Sequence, residues 1–205
     1  MIGLRMYIGE IFMAPNSKLL LLAQIRELYE RIVITHKTHE KCADKYANKN
    51  RNFRFTQLIL SALISSGLIT IVLTDNFWIE IITAVISFIL LCVNSYLKDF
   101  NPASEVEKQN KAAKDLLDIR EKYFSLMRDI MADDQSISDL INRRDQLQEE
   151  LSTIYRNLPR TSPKDYDKAR KALFEEDEFS CREEEINALL PEAFRININT
   201  GATHS

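Results

Sequence analysis

Two apolar runs joined by a short polar corner constrain this chain more than any other feature. Phe55 to Thr74 carries no charged residue, and at about 1.5 Å per residue it would make roughly 30 Å of helix, one bilayer core. Thr74-Asp75-Asn76 forms a polar corner, and Phe77 to Leu97 follows with Glu80 as its single acid. A connection this short between two spans is compatible with a membrane only as a tight helical hairpin. The alternative is a core hairpin buried in a soluble protein. The flanking sequence, rich in Lys, Glu and Asp, is too polar to cover both helices on all sides.

The 205-residue chain has four glycines and five prolines. None falls between Pro15 and Gly67 or between Pro102 and Pro159, so long helices are expected on both sides of the hairpin. With no sustained strand alternation, the fold class is an all-α membrane protein: a two-helix transmembrane hairpin with long cytoplasmic helices packed as a bundle. The organisation expected is an N-terminal segment (1–16), an amphipathic and basic cytoplasmic helix (17–54), the hairpin (55–97), a cytoplasmic helical region (98–195) and a disordered tail (196–205). Met1 to Pro15 lacks the apolar core and cleavage site of a signal peptide. Met1, Met6 and Met13 are all possible starts.

A formal charge of -3 gives no nucleic-acid signature, so direct nucleic-acid binding is not expected. The three cysteines, Cys42, Cys92 and Cys181, are odd in number and far apart, which fits a reducing compartment. Cys92 reads as a small membrane-buried hydrophobe.

Asn16 or Ser17 is the expected N-cap of the first helix, whose apolar stripe is Leu21, Ile25, Leu28 and Ile32 with Leu22 and Tyr29 beside it. Lys37, Lys41, Lys45 and Lys49 then recur every four residues, followed by Arg51 and Arg54. Such a ladder runs along one side of a helix. It can be a solvated, snorkelling face, a membrane-proximal contact with anionic head groups, or an anionic-ligand site. Its six basic charges stand against Glu40 and Asp44, while the corner holds no Lys or Arg. The positive-inside rule therefore puts both termini in the cytoplasm, with the membrane crossed twice.

The apolar runs carry a polar stripe. Gln57, Ser61 and Ser65 share one side of the first span, and Glu80, Thr83, Ser87 and Asn94 share an arc of about 60° on the second. Such residues face protein or water rather than lipid. They can hydrogen-bond helix to helix, within the hairpin or between subunits, or line a pore built by several subunits, with Glu80 as a ring of carboxylates or an interfacial acid.

Asn101-Pro102 should break the chain as it leaves the bilayer. The next helix has the stripe Ala113, Leu116, Leu117, Tyr123, Phe124, Met127 and Ile130, interrupted by Arg120. Ala132-Asp133-Asp134-Gln135 is a turn. Ile137, Leu140, Leu147, Leu151, Ile154 and Leu158 then form an a/d series with Arg144 at one a position, packing on a neighbouring helix or on a second copy. Ser162-Pro163 opens a short helix to Phe174, Glu175 to Glu178 is an acidic patch expected on a solvated surface, and a last helix is expected from Ser180 to Leu190.

No catalytic constellation is found, and no cofactor or metal is expected. His36 and His39 are three apart without companions at ligand spacing, so a surface pair is expected rather than a zinc site. No phosphate-binding loop or nucleophile elbow occurs. Enzyme activity is not expected.

The layout, with Tyr155-Arg156-Asn157-Leu158-Pro159, Ser162-Pro163-Lys164-Asp165-Tyr166 and Glu185-Ile186-Asn187-Ala188-Leu189-Leu190-Pro191-Glu192, resembles the SLATT family of two-transmembrane effectors, from about Lys18 to Arg195. The resemblance implies a bacterial antiviral effector in a nucleotide-signalling conflict system. It further implies a homo-oligomer that forms a pore or disrupts the inner membrane, causing cell death or growth arrest. A nucleotide second-messenger synthase, a SLOG-type sensor or a reverse transcriptase is the implied partner. The family brings no catalytic residues. The alternative is a non-conducting membrane anchor or scaffold that recruits a cytoplasmic partner.

Overall fold

The computed structural model describes residues 3–74, 76–176 and 178, with side chains from Ser17 onward. Five helices follow in order: α1 (Gly3–Thr74), α2 (Phe77–Asp99), α3 (Pro102–Ala132), α4 (Ile137–Asn157) and α5 (Pro163–Phe174). The Glu185–Glu192 motif, the expected helix from Ser180, Cys181 and the tail lie outside the described residues.

Local chemistry sets most of the boundaries. Asn76 caps α2, its side chain accepting from Trp78 N at 3.0 Å. Asn101 caps α3 by accepting from Ala103 N and Ser104 N, with Pro102 at the first helical position, where its missing N–H costs nothing. Asp133 ends α3 at φ 57, a left-handed conformation that Asp tolerates. Ser136 caps α4, and Ser162 with Asp165 forms a reciprocal capping box on α5.

At the start of the chain the structure differs from the expectation. α1 begins at Gly3, not at an N-cap on Asn16 or Ser17, and it runs into the first apolar span without a break. Composition changes at Arg54, but no breaker accompanies the change, so the backbone continues as one helix.

Leu21, Ile25 and Ile32 of α1 pack with Leu116, Ile119, Tyr123, Leu126 and Ile130 of α3 and Leu140, Leu147 and Leu151 of α4 into one core. Each such side chain removed from water contributes on the order of 1.5–3 kcal/mol. The buried face of α3 runs through Gln109, Ala112, Leu116, Ile119, Tyr123, Leu126 and Ile130 in alternating steps of three and four, with Ala113 buried beside Ala112. The expected Ala113, Leu116, Tyr123 and Ile130 lie on it, and the rest of the expected stripe is corrected. Ile119 and Leu126 are central, Leu117 is only half-buried, and Phe124 is exposed, its ring tilted at 37° to that of Tyr29 with centroids 6.1 Å apart. Arg120 flanks the face rather than interrupting it. Arg144, at the anomalous a position of α4, reaches Gln24 of α1 at 2.7 Å, so this series packs within the chain.

Lys18 near the start of the bundle pairs with Asp133 at the end of α3, so the two helices run antiparallel. α4 returns beside α3 through Lys122 and Glu150. α5 then lies along α1, with Asp165 at Lys45 and Phe174 near Tyr29 and Val33.

Candidate functional site: the hairpin faces and the lysine ladder

In the hairpin, α1 and α2 meet along matching seams. The α1 seam is Phe53, Gln57, Leu60, Ile64, Gly67 and Ile71, all half-buried and at steps of four and three, with Thr70 half-buried beside it. Ile79, Thr83, Ile86, Leu90, Val93 and Leu97 answer them on α2 with the same rhythm. This spacing is the signature of left-handed, near-antiparallel packing. Outside the seam, Leu58, Ile59, Leu63, Ile69, Val72, Trp78, Ile82, Val85 and Phe88 remain exposed, and none of the most apolar window of α1 is buried. A core hairpin would have these residues covered. Here the rest of the protein leaves them open, as lipid-facing residues must be.

The seven polar residues of the stripe divide between seam and surface. Gln57 Nε2 donates to Asn94 Oδ1 at 2.7 Å, joining the two helices near the bundle end of the hairpin. Thr83 is buried against Gly67, where an added Cβ would collide with the threonine side chain. Ser87 is half-buried and its hydroxyl donates to Thr83 O at 2.8 Å. Ser61, Ser65 and Glu80 are exposed, off the seam, and Ser65 donates back to Ser61 O. At about 100° per residue, Ser61 and Ser65 sit roughly 80° and 120° to one side of the α1 seam. Asn94, Ser87 and Glu80 sit roughly 60–100° to the same rotational side of the α2 seam. For antiparallel helices of one hand, equal rotational sense means the same broad face. These five polar residues therefore share one face of the hairpin, while Ile82, Val85, Ile89 and Tyr96 of α2 share the opposite one with Thr56, Ser66 and Thr70 of α1.

At the bundle side, the ladder of lysines meets partners from distant sequence. Lys37 and Lys41 both bind Glu178, at 2.7 and 2.8 Å. Lys45 binds Asp165 at 2.6 Å, a carboxylate only 1% exposed. Lys49 sits 4.2 Å from the Phe100 ring and within 6 Å of those of Phe53 and Tyr96, which also pack on one another. Arg51 donates to Asn48 at 2.8 Å and, with Arg54, borders a cleft against Ala103 and Val106. The acidic patch is thus not merely solvated, since Glu178 fastens it to α1.

The ionisation of these groups follows the contacts. Burial alone would raise the Asp165 carboxyl, but hydrogen bonds from Lys45 and Ser162 outweigh it and hold the pKa below the usual carboxylate value. Burial would lower Lys45 and Lys37, yet Asp165 in the first case and Glu178 with Glu40 in the second hold them above the ordinary lysine value. Glu178 is held down at about 2 by the Lys37 and Lys41 ammoniums.

The histidines depart from the expected surface pair. His39 is buried, with Nδ1 2.5 Å from Gln109 Oε1, and Gln109 Nε2 donates to Arg160 O at 3.3 Å. This chain ties α1, α3 and the α4–α5 link together. His36 is largely covered and lies 3.7 Å from Glu40. Burial lowers the pKa of both rings and favours the neutral forms. Gln109 is the feature that sequence reasoning missed: a polar residue at a core position of the three-four rhythm was the available signal.

An unbroken helix shared by a water-facing bundle and an uncovered apolar hairpin defines an all-α, two-pass membrane protein. Over residues 21–185 the chain matches the SMODS and SLOG-associating 2TM effector domain family 4, and it belongs to that family. It is accordingly a membrane effector of the kind associated with conflict systems. No curated protein and no solved structure matches the chain.

Proposed function

We propose that this protein is a bacterial inner-membrane effector, with both termini cytoplasmic, whose hairpins assemble through their polar broad face and breach the permeability barrier. The observation that carries this reading is the gathering of Ser61, Ser65, Ser87 and Asn94 with the carboxylate of Glu80 on one face of the hairpin. In a lone hairpin that face would meet lipid, where the uncovered carboxylate of Glu80 is costly. Two helices cannot enclose water, so the reading requires several copies. The trigger is a partner of the nucleotide-signalling kind, and the protein does no bond chemistry itself. The outcome for the cell is arrest or death.

A second reading, a non-conducting anchor, draws support from Gln57 and Asn94, whose carboxamides pair inside the hairpin, and from Thr83, which packs on Gly67. Dye release from liposomes separates the two. Purified protein, with its activating partner, should empty vesicles, and the Ser61→Leu/Ser65→Leu variant should retain their contents while remaining inserted. Leakage unchanged in that variant overturns the assignment of the face, and no leakage from the wild type with partner favours the anchor.

A further inference from the structure

A cleft of about 400 Å³ lies between α1 and α5, lined by Lys41, Asp44, Lys45, Asn48, Lys49, Asn52 and Lys168. Four ammonium groups and two carboxamides face one aspartate. Two of the lysines are already fixed: Glu178 holds Lys41 and Asp165 holds Lys45. An ammonium has three N–H donors, so each keeps donors beyond those its carboxylate takes. Lys49 makes only a long contact, 3.3 Å, to the Tyr96 hydroxyl and otherwise rests on aromatic rings. Lys168, on α5, has no ion-pair partner among the described residues. Asn48 Oδ1 is taken by Arg51, which leaves its NH2 group as a donor.

The cleft therefore has a surplus of donors held in place before any ligand arrives. Several tetrahedrally disposed acceptor oxygens carrying negative charge would satisfy it, and a phosphate group supplies both. Its position narrows the source. Asn52 immediately precedes Phe53, the first residue of the hairpin seam, and Lys49, one turn before it, is bracketed by Phe53, Tyr96 and Phe100. Aromatic side chains gather in this way at the head-group level of a bilayer. An anionic head group in the adjoining leaflet needs no diffusion to reach the cleft.

We propose that the α1–α5 cleft binds a phosphate-bearing group, supplied by the head group of an anionic phospholipid at the membrane surface. Because α5 contributes Lys168 while α1 contributes Lys41, Lys45 and Lys49, an occupied cleft fastens α5 to the membrane-proximal part of α1. This does not depend on whether the hairpins conduct.

The test is thermal unfolding of the full chain in maltoside micelles, with three additions: phosphatidylglycerol in the micelle, sodium pyrophosphate in the water, and sodium chloride at matched ionic strength. Phosphatidylglycerol should raise the midpoint saturably, and chloride should not. In Lys49→Gln/Lys168→Gln the half-saturating lipid concentration should rise by about fivefold for each charge removed. Lys111→Gln, an exposed lysine of α3, should respond like the wild type. Lys168→Gln alone removes no ion pair among the described residues, so it keeps the fold and tests the cleft if the double variant proves unstable. Protection by pyrophosphate without protection by lipid keeps the phosphate site and moves its source to a water-soluble compound. No shift with either phosphate, or equal shifts in wild type and Lys168→Gln, overturns the proposal.

Discussion

The bundle and the hairpin are built from the same rhythm and held by different forces. In the bundle, steps of three and four residues bring Leu116, Ile119, Tyr123 and Leu126 to complete burial against α1 and α4. In the hairpin the same steps bring Leu60, Ile64, Ile86 and Leu90 only to half-burial, because two helices cover one stripe of each other and nothing more. Water drives the first association through the hydrophobic effect. In lipid that drive is absent, and close packing and hydrogen bonds must suffice. α1 takes part in both, so one helix experiences two solvents along its length.

The largest difference should come from truncating an apolar residue in each region. Leu116→Ala, at a fully buried position, should cost on the order of 2–5 kcal/mol through lost transfer energy and a cavity. Ile82→Ala, at a position 56% exposed on the hairpin surface, should leave stability nearly unchanged in a bilayer, since lipid fills the space. Denaturant unfolding of the reconstituted protein, followed by hydrogen exchange in α3, measures both. Equal costs would mean that the hairpin face of Ile82 is packed against protein, and the contrast drawn between the two regions would fail.

A smaller effect is expected where the hairpin packs most closely. Gly67 lets α1 approach Thr83, and a methyl group there would overlap the threonine Oγ1 and crowd its Cγ2. Rotating Thr83 exchanges one clash for another, so the helices must separate. Gly67→Ala should therefore destabilise the hairpin by about 1–3 kcal/mol. Adding Thr83→Ala should recover most of the loss by clearing the space. Förster transfer between labels on α1 and α2, read along a detergent titration, gives the helix-association energy. A Gly67→Ala hairpin as stable as the wild type would show that this contact does not set the helix separation.

Much of this architecture was legible in the sequence because its punctuation is chemically unambiguous. Asn101-Pro102, Ala132 to Gln135, Leu158-Pro159 and Ser162-Pro163 each bound a helix where capping chemistry expects it. The face of α3 was harder. Leu117, Phe124 and Met127 form a second apolar stripe beside the true one, and only the position of α4 decides between them. The partners of the lysine ladder were invisible for a different reason. Asp165 lies 120 residues from Lys45 and Glu178 lies 137 from Lys41, and no local periodicity links groups so far apart. The division of the polar stripe into seam and surface needed the second helix in place.

The smallest effect belongs to the Gln57–Asn94 hydrogen bond. A 2.7 Å bond between two carboxamides in hydrocarbon invites a large estimate, because an unpaired amide has nothing else to bind. Its location argues otherwise. Gln57 is two residues inside the first span and Asn94 three residues from the end of the second, so head-group water lies within about a turn of both. In Gln57→Leu the Asn94 amide can be rehydrated, and measured couplings of this kind average about 0.6 kcal/mol. A double-mutant cycle with Asn94→Leu should return a coupling of that order, read from the same helix-association energy. A coupling above about 2 kcal/mol would mean that no water reaches the pair. The polar groups of the seam would then act as structural fasteners on the same scale as the bundle core, and the two regions would differ less than their burial implies.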